Sequence, residues 1–233
     1  MQDLKRPVAA EFLGTLGVVF IGGATIMNGY AANAAAPMAV PLVDVAIAYG
    51  LAFAVLVTAT MHVSGHLNPA ITIGLAVTRR LSVKAAAWYV VAQCAGAALA
   101  ALALRGLYPA DAGHLSRLGG QWVASNVGTM QAVGLEALAT FVLVFVFFGT
   151  IVDPRAPRVG GFAAGLAVCA DVLALGPLTG ASMNPARSFG PALVTGVFSG
   201  HLIYWIGPVL GGVAAAVIYD RAFLRGSPEP GAG

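Results

Sequence analysis

Gly180-Ala181-Ser182-Met183-Asn184-Pro185-Ala186-Arg187-Ser188 is the stretch whose reading decides the fold, and Ser64-Gly65-His66-Leu67-Asn68-Pro69-Ala70 echoes it earlier in the chain. In each, Asn-Pro-Ala follows a glycine-containing turn and opens a short apolar run. Asn is a favoured N-cap, and Pro suits the first helical position because its missing N–H has no intrahelical partner there. The pattern predicts two helices, over 69–78 and 185–195. With a rise of about 1.5 Å per residue each is about 15 Å long, half of a bilayer core of about 30 Å. Irregular backbone before such half-helices is tolerated at membrane depth only where protein buries it or where it lines a wet cavity.

The composition supplies the membrane. Of 233 residues, 59% are hydrophobic and 9% are charged, with a mean hydropathy of +0.86; soluble domains carry about 25% charged residues. The net charge of +3, spread over scattered basic residues, excludes a nucleic-acid partner and leaves lipid as the surroundings. Cys94 and Cys169 lie in apolar segments without paired spacing and read as buried, inert thiols. The apolar run after Lys5-Arg6 is too long for a signal peptide and lacks a small-residue cleavage site, so it reads as a retained span.

Six spans are expected, over 8–27, 42–61, 85–104, 131–152, 159–175 and 201–223. Each is close to the roughly 20 residues needed to cross. The half-helices fall between spans two and three and between spans five and six. Lys5, Arg6, Arg79, Arg80, Lys84, Arg155, Arg158, Arg221 and Arg225 gather at the chain start, the second and fourth connections and the chain end. Arg105 and Arg117 fall in connections on the other side, and Arg187 in the second half-helix loop. The positive-inside rule puts both termini in the cytoplasm, with the plasma (inner) membrane as the expected location. The Pro/Gly-rich tail 226–233 is expected to be disordered. The connection 105–130 is the longest and least apolar, an external loop expected to fold over the pore mouth.

The chain repeats itself. Ala10-Glu11-Phe12-Leu13-Gly14-Thr15 answers Leu135-Glu136-Ala137-Leu138-Ala139-Thr140, and Trp88-Tyr89-Val90-Val91-Ala92-Gln93 answers Ile203-Tyr204-Trp205-Ile206-Gly207-Pro208. Each half has three spans and one half-helix. Three is odd, so the second half enters from the opposite side: an inverted repeat within one channel domain over 1–233, with repeat one about 1–115 and repeat two about 125–225. Gly96-Ala97-Ala98 and Gly211-Gly212 read as sites of close helix approach. The two half-helices then meet at the midplane, N-terminus to N-terminus. Each carries roughly +0.5 elementary charge, so together they repel cations, hydronium included, but not neutral solutes. Asn68 and Asn184 would cap the half-helices with their oxygens and turn amide N–H groups to the lumen, breaking a proton-conducting chain of waters. Arg187 adds a fixed cation, and an Arg at membrane depth reads as functional.

These residues make the resemblance plain. Two Asn-Pro-Ala boxes in an inverted repeat, with Arg187 directly after the second, resemble the aquaporin, or major intrinsic protein, superfamily over essentially the whole chain. The resemblance implies an all-α integral membrane fold of six tilted helices plus two re-entrant half-helices, assembled as a homotetramer with four independent pores. It implies passive conduction of water or small neutral solutes, without enzyme activity, cofactor or energy coupling. The stretch from Gly176 to Ser188 resembles, within the family, the plant nodulin-like intrinsic proteins and their bacterial relatives. One departure is that Gly65 is followed directly by His66, which leaves the first loop a residue short.

Carried over position by position, the family's selectivity filter is Arg187, Ala181 three before Asn184, Val172 twelve before it, and a span-two residue. That last is Tyr49 if the missing residue is placed after Gly65, and Ala48 if the count ignores it. Water-specific members resemble Phe, His, a small residue and Arg; Val172 in place of His widens the constriction. Ser188, Ala192, Tyr204 and Trp205 instead match the pattern of water channels. The expected pore residues are thus Asn68, Pro69, Ala70, Asn184, Pro185 and Ala186, with Tyr49, Val172, Ala181 and Arg187 as filter. Glu11 and Glu136 read as structural acceptors for the loops' backbone N–H groups rather than as a proton relay. His62 and His66, without a Cys or carboxylate at ligand spacing, read as loop packing and not as a metal site. Asp171 reads equally as hydrogen-bonded within the bundle or as close to the pore. A broad solute channel, a water-dedicated channel and a membrane junction or scaffold protein are the competing functions. The scaffold reading is weakest because no bulky side chain blocks the filter, and a secondary transporter lacks an ion-coupling carboxylate at the half-helix junction.

Overall fold

Asn68 and Asn184 start the half-helices as expected. Each sits in extended backbone and its side-chain oxygen accepts the N–H two residues on, at 2.8 Å from Ala70 and 3.0 Å from Ala186. The computed structural model describes residues 4–31, 40–157 and 159–224. Arg158, Arg225 and the tail 226–233 lie outside the described residues. The helices are α1 (Lys5–Ala31), α2 (Leu42–Thr60), α3 (Pro69–Val77), α4 (Val83–Leu107), α5 (Ala110–Ser116), α6 (Thr129–Phe147), α7 (Phe162–Thr179), α8 (Pro185–Thr195) and α9 (Ile203–Tyr219). A π turn extends α6 over Phe148–Val152 and another extends α9 over Asp220–Leu224. Among the described residues there is no strand. The protein is an all-helical integral membrane protein: six of these helices are long and apolar enough to cross a bilayer, and α3 and α8 are the half-length pair.

Two elements differ from expectation. α5 interrupts the external connection, and α7 runs through Gly176-Pro177 to Thr179 instead of stopping at 175. Pro177 lies in the last turn, where its missing N–H removes a single bond. The helix stops at Gly180, whose left-handed backbone (φ 79°) returns its N–H to the Gly176 carbonyl at 2.9 Å.

The helices pack in matching pairs. α1 lies along α4 as α6 lies along α9, α2 along α7, and each half-helix crosses to the other half: α8 against α4, α3 against α9. The closest approaches correspond as well. A Cβ on Gly96 would collide with the Phe12 carbonyl across α1–α4, and one on Gly211 with the Ala137 carbonyl across α6–α9. Small residues here let backbones touch, since in lipid packing rather than the hydrophobic effect holds helices together. The ends that carry the basic clusters are tied together: Arg80 pairs with Asp220 at 2.8 Å, and Arg155 donates to Asp153 (2.7 Å) and to the Phe223 carbonyl (2.6 Å). The Arg155 guanidinium holds the Asp153 carboxyl well below the usual carboxylate range.

Gly211→Val forces a side chain into unyielding backbone and is expected to destabilise the protein by about 1–3 kcal/mol or more. Gly134→Ala, where an added Cβ meets nothing within 4 Å, serves as the neutral control. Thermal unfolding in detergent checks both, and equal midpoints would contradict the close-packing account.

Candidate functional site

The two loops before the half-helices are bolted to each other. Asn68 Nδ2 donates to the Met183 carbonyl and Asn184 Nδ2 donates to the Leu67 carbonyl, each at 2.8 Å. Leu67 (φ 52°) and Met183 (φ 53°) are both left-handed, which turns those carbonyls toward the opposite loop. The strain costs roughly 1–2 kcal/mol at each non-glycine residue. An amide NH₂ has two donors, so the cross-bond leaves one N–H on each asparagine. One amide hydrogen of each asparagine is thus used between the loops, and only the second is left for a solute.

Buried carboxylates hold each loop from behind. Glu136 accepts from Ser182 N (2.9 Å), Met183 N (2.8 Å) and the Thr179 hydroxyl (2.7 Å). Glu11 accepts from His66 N (2.8 Å), Leu67 N (2.7 Å), Gln93 Nε2 (2.7 Å) and the Ser64 hydroxyl. The glutamates occupy equivalent places, with their lone pairs taken up by loop donors, as anchors require. The short first loop is visible here. Ser64 stands four residues before its asparagine and Thr179 five before its own, yet both hydroxyls reach their carboxylate. Gly65 makes the shortcut with left-handed backbone (φ 88°), where a Cβ would sit 2.8 Å from Met61 N and Cα.

The four expected filter residues, Tyr49, Val172, Ala181 and Arg187, line one narrow cavity, the candidate passage, together with Asn68 and Asn184. Ala48 is half-buried and does not line it, so the register with the missing residue after Gly65 is the one the geometry follows. Arg187 is 4% exposed, and its Cζ lies 4.1 Å from the centre of the Tyr49 ring, a cation–π pair. The Cζ end of that ring abuts Gly22 of α1, where a Cβ would overlap it. Pro69, Ala70, Pro185 and Ala186 are buried in the half-helix starts.

Sequence reasoning missed Gln121. An arginine only donates, so the Gln121 amide oxygen faces it and accepts from Nη1 and Nη2 (3.2 Å), while its nitrogen donates to Ser188 Oγ at 2.5 Å. Ser188 Oγ is in turn 2.5 Å from Ser182 Oγ, which donates to the Asn184 carbonyl at 2.9 Å. The external loop thus reaches from the filter arginine to the second box. Its only sequence signal was the expectation that 105–130 folds over the pore mouth.

The remaining candidates lie off the passage. Asp171 is buried beside Val172, does not line the passage, and its Oδ2 has no hydrogen-bond partner among the described residues. His66 is buried, with Nδ1 3.1 Å from Thr72 Oγ1 and its ring 5.4 Å from Tyr89, while His62 is exposed. Cys169 faces the outer α2–α7 groove beside Gly50 and Leu51.

The sequence model of the major intrinsic protein family matches residues 1–219. The chain belongs to that family. Among similar relatives, Aquaporin TIP4-4 of Zea mays is 47% identical over 232 residues, covering 97% of this chain and 90% of its own. Probable aquaporin TIP4-1 of Oryza sativa subsp. japonica is 47% identical over 225 residues, 94% and 87%. Aquaporin TIP2-1 of Arabidopsis thaliana is 40% identical, 95% and 89%. The solved aquaglyceroporin of Plasmodium falciparum shares the fold, with a TM-score of 0.79 at 22% identity over 94% of this chain and 97% of its own. The relatives are of the TIP type, so the nodulin-like resemblance is not borne out, and they lend no support to the plasma membrane as location.

Gly22→Ala is expected to push the Tyr49 ring toward Arg187 and the passage. Water flux into reconstituted vesicles should fall severalfold while the protein stays monodisperse; unchanged flux would show that the ring yields elsewhere.

Proposed function

We propose that this family member is a passive channel for water and small uncharged solutes, glycerol, urea and undissociated metalloid hydroxides among them, and that it excludes protons. The observation that carries the reading is that one narrow cavity is lined by both box asparagines, Tyr49, Val172, Ala181 and Arg187. Arg187, with Tyr49 and Gln121 fixing it, offers paired donors to hydroxyls. Tyr49 and Val172 form an apolar wall for the carbon face, and Ala181 leaves room opposite. A polyol needs that combination because its hydroxyls must exchange water for protein partners as it crosses.

The water-dedicated alternative rests on Ser188, Ala192, Tyr204 and Trp205, and none of these lines the passage. Ser188 belongs to the Gln121–Ser182 chain, the Tyr204 hydroxyl donates to the Thr179 carbonyl (2.8 Å) and Trp205 Nε1 donates to His201 Nε2 (3.1 Å). Their work is structural, so they argue little about solute size. The relatives' aquaporin names support the channel class without choosing a solute. In this reading the chain is one channel unit of two inverted repeats, both termini are cytoplasmic, and four copies assemble with a pore in each. Exposed Ile47, Leu51, Leu166 and Leu173 on α2 and α7 supply apolar faces for neighbours or lipid.

Stopped-flow volume changes of reconstituted vesicles against a panel of solutes test the reading. Glycerol and urea flux is expected well above that of empty vesicles, and Val172→His is expected to cut glycerol flux far more than water flux. Fast water flux with glycerol, urea and metalloid flux at the empty-vesicle level would instead favour the water-dedicated channel.

A further inference from the structure

Arg105 and Arg117, the two arginines that the positive-inside pattern leaves on the non-cytoplasmic side apart from Arg187, meet at one cavity. Arg105 lies in the last turn of α4 and Arg117 follows α5. With His114, Leu115, Val194 and Thr195 they line an open cavity of about 790 Å³ between the ends of α4 and α8 and the short α5. Among the described residues neither arginine has an ion pair, and the nearby Asp111 does not line the cavity. A cation at a helix C-terminus is ordinary, and Arg105 in the last turn of α4 and Arg117 at the C-cap of α5 both fit it, so what points to a ligand is that the two converge on one cavity. Arg117 also sits in strained backbone. It and Leu118 are consecutive left-handed residues (φ 51° and 54°), held there by Leu118, which packs against Met27 and Leu104. Strain of this kind persists only where surrounding structure enforces it.

The rim decides what the cavity would take. Leu115 and Val197, which line it, are 52% and 41% exposed. Two guanidiniums match a phosphate bidentately, and the apolar rim matches chains that a free anion does not have. We propose that this cavity binds the phosphate headgroup of an anionic phospholipid from the non-cytoplasmic leaflet, with Arg105 and Arg117 on the phosphate and acyl chains along Leu115 and Val197.

Native mass spectrometry of the purified full-length protein with phosphatidylglycerol, phosphatidylcholine or inorganic phosphate tests this. Phosphatidylglycerol is expected to be retained in preference to phosphatidylcholine. Retention should drop about fivefold for each arginine removed in Arg105→Gln and in Arg105→Gln/Arg117→Gln, with phosphatidylcholine unaffected. The single variant leaves the strained turn untouched and decides the matter should the double variant fail to fold. Undiminished retention in Arg105→Gln overturns the two-arginine clamp. Full displacement by inorganic phosphate overturns the lipid assignment in favour of a free-anion site.

Discussion

Each box asparagine donates one amide hydrogen to the carbonyl just ahead of the other, and this reciprocal pair of 2.8 Å bonds holds two half-length helices tip to tip. Neither half-helix could lie at membrane depth by itself, because its loop would leave backbone groups unsatisfied in hydrocarbon. The cross-bonds, the left-handed Leu67 and Met183, and the carboxylates of Glu11 and Glu136 satisfy those groups together. The crossing of α3 onto α9 and α8 onto α4 then follows, because a half-helix started at the centre has to be clasped by the opposite repeat. So does the need for glycine at Gly96 and Gly211, where the spans carrying the glutamates come closest to their partners.

The same arrangement sets the electrostatics. Asn68 and Asn184 cap from within, Asn184 accepting from both Ala186 N and Arg187 N (3.0 and 3.3 Å), so two positive helix ends and a guanidinium stand along one short passage. Under the proposed function, each asparagine's second amide hydrogen is the donor a neutral hydroxyl accepts from in passing, while the helix ends and the guanidinium repel an excess proton. Gln121 completes the arrangement by accepting from Arg187, which holds the guanidinium at Tyr49 without neutralising it.

Much of this was legible because it is written in local chemistry. Asn-Pro at a helix start, apolar runs of span length and the glutamates in matched positions all act through near neighbours or the repeat. Tyr49 was legible only once the missing residue was placed after Gly65, and the Ser64–Glu11 bond shows why: the hydroxyl anchor stayed and the chain between it and the box shortened. What was not legible depends on proximity in space. Gln121 lies in a polar connection with no periodicity, and only the fold brings it to Arg187. Span five was expected to end at 175, yet Pro177 in a last turn removes only one bond and the helix carries on to its cap at Gly180. The shared use of each asparagine amide was likewise invisible, since the acceptors are backbone carbonyls whose direction is set by left-handed residues that sequence does not announce.

The central claim is that the paired half-helix ends pass neutral solutes while turning protons away, and proton flux tests it most directly. Vesicles containing the protein and an internal pH dye, placed under an imposed pH gradient, should lose that gradient no faster than empty vesicles although their solute-driven volume change is fast. A proton leak that rises in step with the solute flux would contradict the account.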